Sequence, residues 1–199
     1  MSFGRQAIVW LPIAKAIGEI ELEAELKKHF FTADYIRVGK ELVKQALTLP
    51  KMDKEISLYV HGSRADELRP DLLAIFDGWI PDEHILYEFK TTKNGWANQG
   101  IVDTNGQITL YSLAYYLLFG TAPLVRLVRL DTGNGRMKLY ETKRTEMEMM
   151  TMRDKLNDMH DDLVAKGWWE GRAARDTSFV QIAKDNTKKY VRTLSHTKI

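Results

Sequence analysis

Residues 72–76, Leu72-Leu73-Ala74-Ile75-Phe76, are apolar at every position, and no other stretch limits the fold so strongly. Side chains on a strand alternate between faces, so Leu72, Ala74 and Phe76 take one face while Leu73 and Ile75 take the other. A strand apolar on both faces belongs in the middle of a sheet covered on each side by helices. The 199 residues, 44% of them hydrophobic, are enough for one domain with a sizeable core.

The residues around this run carry chemistry. Arg69-Pro70-Asp71 leads into it, and Ile85-Leu86-Tyr87-Glu88-Phe89-Lys90 follows a gap punctuated by Asp77-Gly78 and Pro81-Asp82. Strands are predicted over 71–76 and 84–90, antiparallel neighbours in a hairpin. With the loop centred near residue 80, Asp71 comes across from about residue 88 or 89, so the Asp71 and Glu88 carboxylates meet at one end. Lys90 lies two residues beyond Glu88 and shares its face. Hard oxygen ligands of this kind suit Mg²⁺ or Mn²⁺, and a lysine beside them can orient an attacking water or offset developing charge in phosphodiester hydrolysis. Asp77 is a rival for the first acidic position. It would face Glu88 only if the chain reversed tightly at 81–84, and it ranks second because Asp77-Gly78 is itself a turn dipeptide.

Arg69-Pro70-Asp71, Glu88-Phe89-Lys90 and Gln107-Ile108-Thr109-Leu110-Tyr111 together resemble the PD-(D/E)XK nuclease superfamily, and within it the RecB-like branch, whose motif ends in Gln-x-x-x-Tyr on the helix after the catalytic strands. The order of predicted elements agrees over roughly residues 35–165. The resemblance implies a restriction-endonuclease-like α/β fold with a mixed central sheet. It implies Asp71, Glu88, Lys90, Gln107 and Tyr111 as catalytic residues, with metal bound by Asp71, Glu88 and the Phe89 carbonyl. Glu41, on the helix before the first strand, stands where relatives supply a further ligand, although its register to Gly39 is off by about half a turn.

The activity so implied is a Mg²⁺- or Mn²⁺-dependent deoxyribonuclease. Gln107 and Tyr111 tilt it toward an exonuclease acting on free DNA ends in recombination or repair, and the compact size without a helicase admits a viral origin. A structure- or sequence-specific endonuclease is the alternative within the enzymes. A catalytically silent nucleic-acid-binding or assembly subunit is the alternative outside them.

Elsewhere the chain supplies the covering layers. Helices are predicted over 13–30 and about 35–48, and Glu55-Ile56-Ser57-Leu58-Tyr59-Val60 alternates polar and apolar as a first strand. His61, at its end, could meet a metal or a phosphate, but a lone histidine there is more often a surface residue. Residues 91–106 read as a polar, glycine-rich loop in which Lys93 could contact phosphate and Trp96 could stack on a base. Gln107 to Leu118 reads as a largely buried helix, and 124–130 with 137–142 as a hairpin that puts Arg126 and Arg129 on opposite faces. A long helix from Thr145 carries a seam of Met149, Met152, Leu156, Met159 and Leu163, a packing stripe that also admits a homo-oligomer or a recombination partner protein. Trp168 and Trp169 then stand ready to pin the chain end to the core. Residues 1–175 are expected to form one nuclease-like domain, with 176–199 a basic tail.

Composition narrows the rest. The absence of cysteine rules out an iron–sulfur cluster, which several RecB-like nucleases carry, and any thiolate zinc site. A net charge of +2 leaves DNA binding to local clusters of Lys and Arg. No apolar run is long enough to cross a bilayer and no secretory pattern opens the chain, so a cytoplasmic protein without membrane attachment is expected, in the host cytoplasm if viral.

Overall fold

The computed structural model describes residues 33–62, 68–93 and 98–167. Their elements are α1 (Ala33–Ala46), β1 (Asp53–Val60), β2 (Leu72–Ile80), a 3-10 turn (Pro81–Glu83), β3 (Ile85–Thr92), α2 (Gln99–Asp103), α3 (Gly106–Phe119), β4 (Leu124–Asp131), β5 (Arg136–Lys143) and α4 (Glu146–Ala165). The strands form one five-stranded sheet in the order β1-β2-β3-β4-β5. Backbone bonds at both ends of β3 and β4, Leu124 N–H to His84 O (3.0 Å) and Thr132 N–H to Thr92 O (2.8 Å), advance in the same direction. β3 and β4 are therefore parallel, α3 is their crossover, and the sheet is mixed. The α/β class with a mixed sheet flanked by helices is as expected.

Local chemistry explains where each helix sits. In α1, Val38, Leu42, Val43 and Ala46 recur at helical spacing and are buried, while Asp34 in the first turn and Lys44 in the last complement the helix dipole. α3 is capped by the Asn105 side chain, which accepts from Ile108 N–H at 3.1 Å. It closes on Gly120 at φ 70°, whose N–H donates to Tyr116 O. α4 opens on a capping box in which Thr145 and Glu148 satisfy each other's backbone.

Three expectations are corrected. The hairpin does not reverse near residue 80 through a loop begun by Asp77-Gly78. β2 runs on through both residues to Ile80, because Trp79 is fully buried and a buried side chain holds the strand in place. The reversal comes at Pro81–Glu83 and His84, which takes the left-handed conformation (φ 54°). Residues 91–106 are not one loop: Gln99–Asp103 is a short helix capped by Asn98, whose side chain accepts from Ile101 N–H at 3.0 Å. β1 is exposed over its first three residues and buried from Ile56 to Val60 without alternation, so both of its faces are covered. The expected helix over 13–30, Trp96, Trp168, Trp169 and the basic tail lie outside the described residues.

The chain divides into two compact units. Among the described residues the first comprises 33–53, 87–93, 98–104 and 126–142, and the second 54–62, 68–86, 105–125 and 143–167. In the second, α3 packs on β2 and on α4, with Trp79 edge-on to Tyr115 at 5.9 Å. Met149 anchors the α4 seam at 0% exposure, whereas Met159 is 59% exposed, so the stripe packs over its first turns and leaves the core further along. In the first unit, Gln45 of α1 ties itself to the β4–β5 turn, donating to Gly135 O (2.7 Å) and accepting from Met137 N–H (2.8 Å).

Candidate functional site

Asp71 is a hub within the second unit. Tyr59 and His61 stand two apart at the end of β1 and so project to one side. The chain then returns so closely that a Cβ on Gly62 would lie 2.2 Å from Arg69 O and 2.6 Å from the Pro70 carbonyl carbon. Only glycine fits, and the approach delivers Asp71 to both side chains. Asp71 Oδ1 lies 2.8 Å from His61 Nδ1 and accepts from Gly62 N–H at 2.9 Å, while Oδ2 accepts from the Tyr59 hydroxyl. Burial pushes the Asp71 carboxyl up, but the bonds from Tyr59, Gly62 and His61 outweigh it and hold its pKa below the ordinary carboxylate value. The Tyr59 phenol is pushed well above its ordinary value by burial first, then by its bond to the Asp71 carboxylate.

The Gln-x-x-x-Tyr pair also lies in this unit, at the start of α3. Gln107 Nε2 donates to the Tyr111 hydroxyl at 2.5 Å, the contact expected of side chains four apart on a helix. Gln107 is exposed, while the Tyr111 ring is buried edge-on against Phe76 of β2 at 5.9 Å. Asp77 sits half-buried inside β2.

Glu88 and Lys90 belong to the first unit, on β3. Lys90 Nζ is 2.5 Å from Glu88 Oε1, with the Glu88 side chain only 6% exposed and that of Lys90 30%. A carboxylate so buried needs a charged or hydrogen-bonding partner, and the residue two positions on supplies one. Phe89, between them, points to the other face and stacks on Tyr87. On that face Arg126 bridges the Tyr87 hydroxyl and Glu141, both at 2.7 Å, whereas Arg129 turns to the Tyr140 hydroxyl at 3.4 Å. The two arginines thus lie on opposite faces, as their spacing predicts. Lys93 follows β3 and is exposed. Glu41 is exposed on α1, its Cβ within 3.4 Å of where a Gly135 side chain would begin.

Asp71, Gln107 and Tyr111 are therefore in one unit, and Glu88, Lys90, Lys93 and Glu41 in the other. Sequence reasoning missed Tyr59 and gave His61 little weight. The signal was present in their two-residue spacing at a strand end, followed by a glycine. Among the described residues no group of three or more His, Cys, Asp or Glu side chains forms a metal cage. Carboxylates are the donors on offer, and they fit Mg²⁺ or Mn²⁺ in the mode where one or two protein carboxylates suffice and waters complete the shell.

No protein-family model matches the chain, and no curated protein matches it. Among solved structures it is similar to the crystal structure of a presumptive exonuclease from Eubacterium rectale, at 10% identity and a TM-score of 0.49, over 85% of this chain and 70% of that one. A likeness of that size carries no inference about activity.

Proposed function

We propose that the chain is a divalent-metal-dependent nuclease of the PD-(D/E)XK kind, hydrolysing phosphodiester bonds in DNA, with Glu88 and Lys90 at its centre. The observation that supports this best is the Glu88–Lys90 pair itself, a nearly buried carboxylate held 2.5 Å from an ammonium two residues along the same strand. Carboxylates are rarely buried unless they are paired, and this pair stands where the resemblance to the PD-(D/E)XK motif puts a metal ligand and a lysine. Glu88, the Phe89 carbonyl and one aspartate of β2 or its approach would hold Mg²⁺ or Mn²⁺. A cation there supplies positive charge to the phosphoryl oxygens and acidifies a bound water. Lys90 orients the attacking water, and Gln107, through its bond to Tyr111, positions the end of the strand.

Two aspartates compete for the remaining position. The resemblance favours Asp71. Asp77 is the second candidate, a half-buried residue inside β2. Asp71 meanwhile is engaged by three donors from Tyr59, His61 and Gly62. Parallel assays of Asp71→Asn and Asp77→Asn decide between them, since the true ligand loses metal-dependent cutting and the other retains it.

Gln107 and Tyr111 incline the reading to an exonuclease acting at DNA ends in recombination or repair. Digestion of end-labelled linear and closed circular DNA tests it. Loss of linear DNA alone supports an exonuclease, and cutting of circles makes the enzyme an endonuclease.

A further inference from the structure

We propose that Lys90, Arg129 and Lys138 form a cationic row across β3, β4 and β5 that holds the phosphodiester backbone of a DNA strand between the sheet edge and Glu88. The identity of the ligand rests on the nuclease reading above.

The row follows from strand register within the first unit. The parallel bond from Thr132 N–H to Thr92 O sets Tyr87 beside Arg126, as the 2.7 Å bond between their side chains requires. It sets Glu88 beside Leu127 and Lys90 beside Arg129. The β4–β5 turn closes with Gly135 N–H donating to Asp131 O at 2.9 Å, which sets Arg126 opposite Glu141, again matched by their 2.7 Å bond. Arg129 then stands opposite Lys138. Three cations are thus lateral neighbours on the face that carries Glu88.

The two faces of these strands differ in charge. On the Tyr87 face, Arg126 is paired with Glu141 and Lys143 lies two residues further along β5, so no row of cations crosses the strands. On the Glu88 face the row places three cations next to one carboxylate. The next row adds Arg136 and Asp131, and the Asp131 carboxylate is used in the turn, accepting from Gly133 N–H (2.9 Å) and Asn134 Nδ2 (3.0 Å). Exposure grades along the row as a track requires: Lys90 and Arg129 are half-buried and Lys138 is exposed. The row before it, Leu127 and Tyr140, is buried. Tyr140 serves as a prop, with Lys138 Nζ 4.9 Å from its ring centroid and Arg129 Nη1 3.4 Å from its hydroxyl.

Neighbouring strands lie about 4.8 Å apart, so the row spans roughly 10 Å. One strand of a duplex carries a phosphate every 3.4 Å or so of axis, and three cations over that span can meet two or three successive phosphates. β5 lies at the end of the strand order, so the track begins at a sheet edge and ends at the proposed catalytic carboxylate.

The test is binding of a fluorescein-labelled oligothymidine strand to the full chain in EDTA, followed by anisotropy across a salt series. Lys138→Gln is compared with Lys143→Gln, an exposed lysine on the other face of β5, and with Arg129→Gln. Lys138→Gln and Arg129→Gln are expected to weaken binding several-fold and to lower the slope of log affinity against log salt by about 0.7 each, the value for one contact to a single strand, while Lys143→Gln changes neither. Because Lys138 is exposed, its variant folds, and affinity equal to wild type in Lys138→Gln overturns the proposal. The nuclease reading fails separately: a chain that binds with this dependence but never cuts DNA keeps the row and loses the enzyme.

Discussion

His61 Nδ1 and Asp71 Oδ1 stand 2.8 Å apart at the end of β1, an exposed pair made firm by the Tyr59 hydroxyl and Gly62 N–H on the same carboxylate. The net effect of these bonds is to lower the Asp71 pKa. A carboxyl whose folded pKa is depressed contributes stability that is present above its unfolded pKa and lost as pH falls through the folded value. In metal-free buffer, Asp71→Asn should therefore lower Tm at pH 7. The gap to wild type should close as the pH drops below the ordinary aspartate value of about 4. Thermal melts of both proteins across that range check this, and a constant gap would contradict it.

Gly62→Ala should be among the more damaging single changes at a half-exposed position. Its Cβ would meet backbone atoms of Arg69 and Pro70 at 2.2–2.7 Å, and backbone cannot swing aside as a side chain can. The expected cost is about 1–3 kcal/mol, read from urea unfolding, together with loss of the His61–Asp71 geometry.

Lys90→Ala leaves the Glu88 carboxylate, 6% exposed, without its ammonium. Taking an ionic partner from a buried carboxylate costs roughly 1–3 kcal/mol. Adding Glu88→Gln to Lys90→Ala should restore part of that loss, because a neutral amide is cheaper to bury. Equilibrium unfolding of both single variants and the double variant gives the coupling, and strict additivity would show that the two groups do not interact.

The sequence carries the α/β class in the apolar β2, the buried α3 and the two later strands, although the expected covering of both β2 faces is corrected at Ile75, which is 40% exposed. Glu88 and Lys90 share a face by spacing alone. The hairpin's reversal was hidden because Asp77-Gly78 has every local property of a turn, and only the burial of Trp79, a tertiary fact, carries the strand past it. α2 was hidden because five residues are too few to show a helical period, although its Asn98 cap was visible. The Tyr59–Asp71 bond depends on how closely residues 62 and 69–70 approach, which no periodicity encodes.

Tyr115 gives an alkaline counterpart. Burial pushes its hydroxyl up to about 12, and the oxygen lies 2.7 Å from His84 Nδ1. A raised folded pKa means that its contribution is complete below the unfolded value near 10 and is lost as pH rises toward 12. Wild type should lose Tm over that interval faster than Tyr115→Phe. Parallel curves would show that the hydroxyl ionises as freely in the folded chain as in the unfolded one.

Hydrolysis of linear DNA by the purified chain, with Mg²⁺ or Mn²⁺ and with EDTA, beside Glu88→Gln and Lys90→Ala confirmed folded by circular dichroism, tests the central claim most directly. Metal-dependent cutting by wild type, absent with EDTA and reduced at least about a hundredfold in both variants, is the predicted result, since each removes a group from the reacting centre. Cutting that persists in folded Glu88→Gln and Lys90→Ala, or no metal-dependent cutting by wild type, would contradict it.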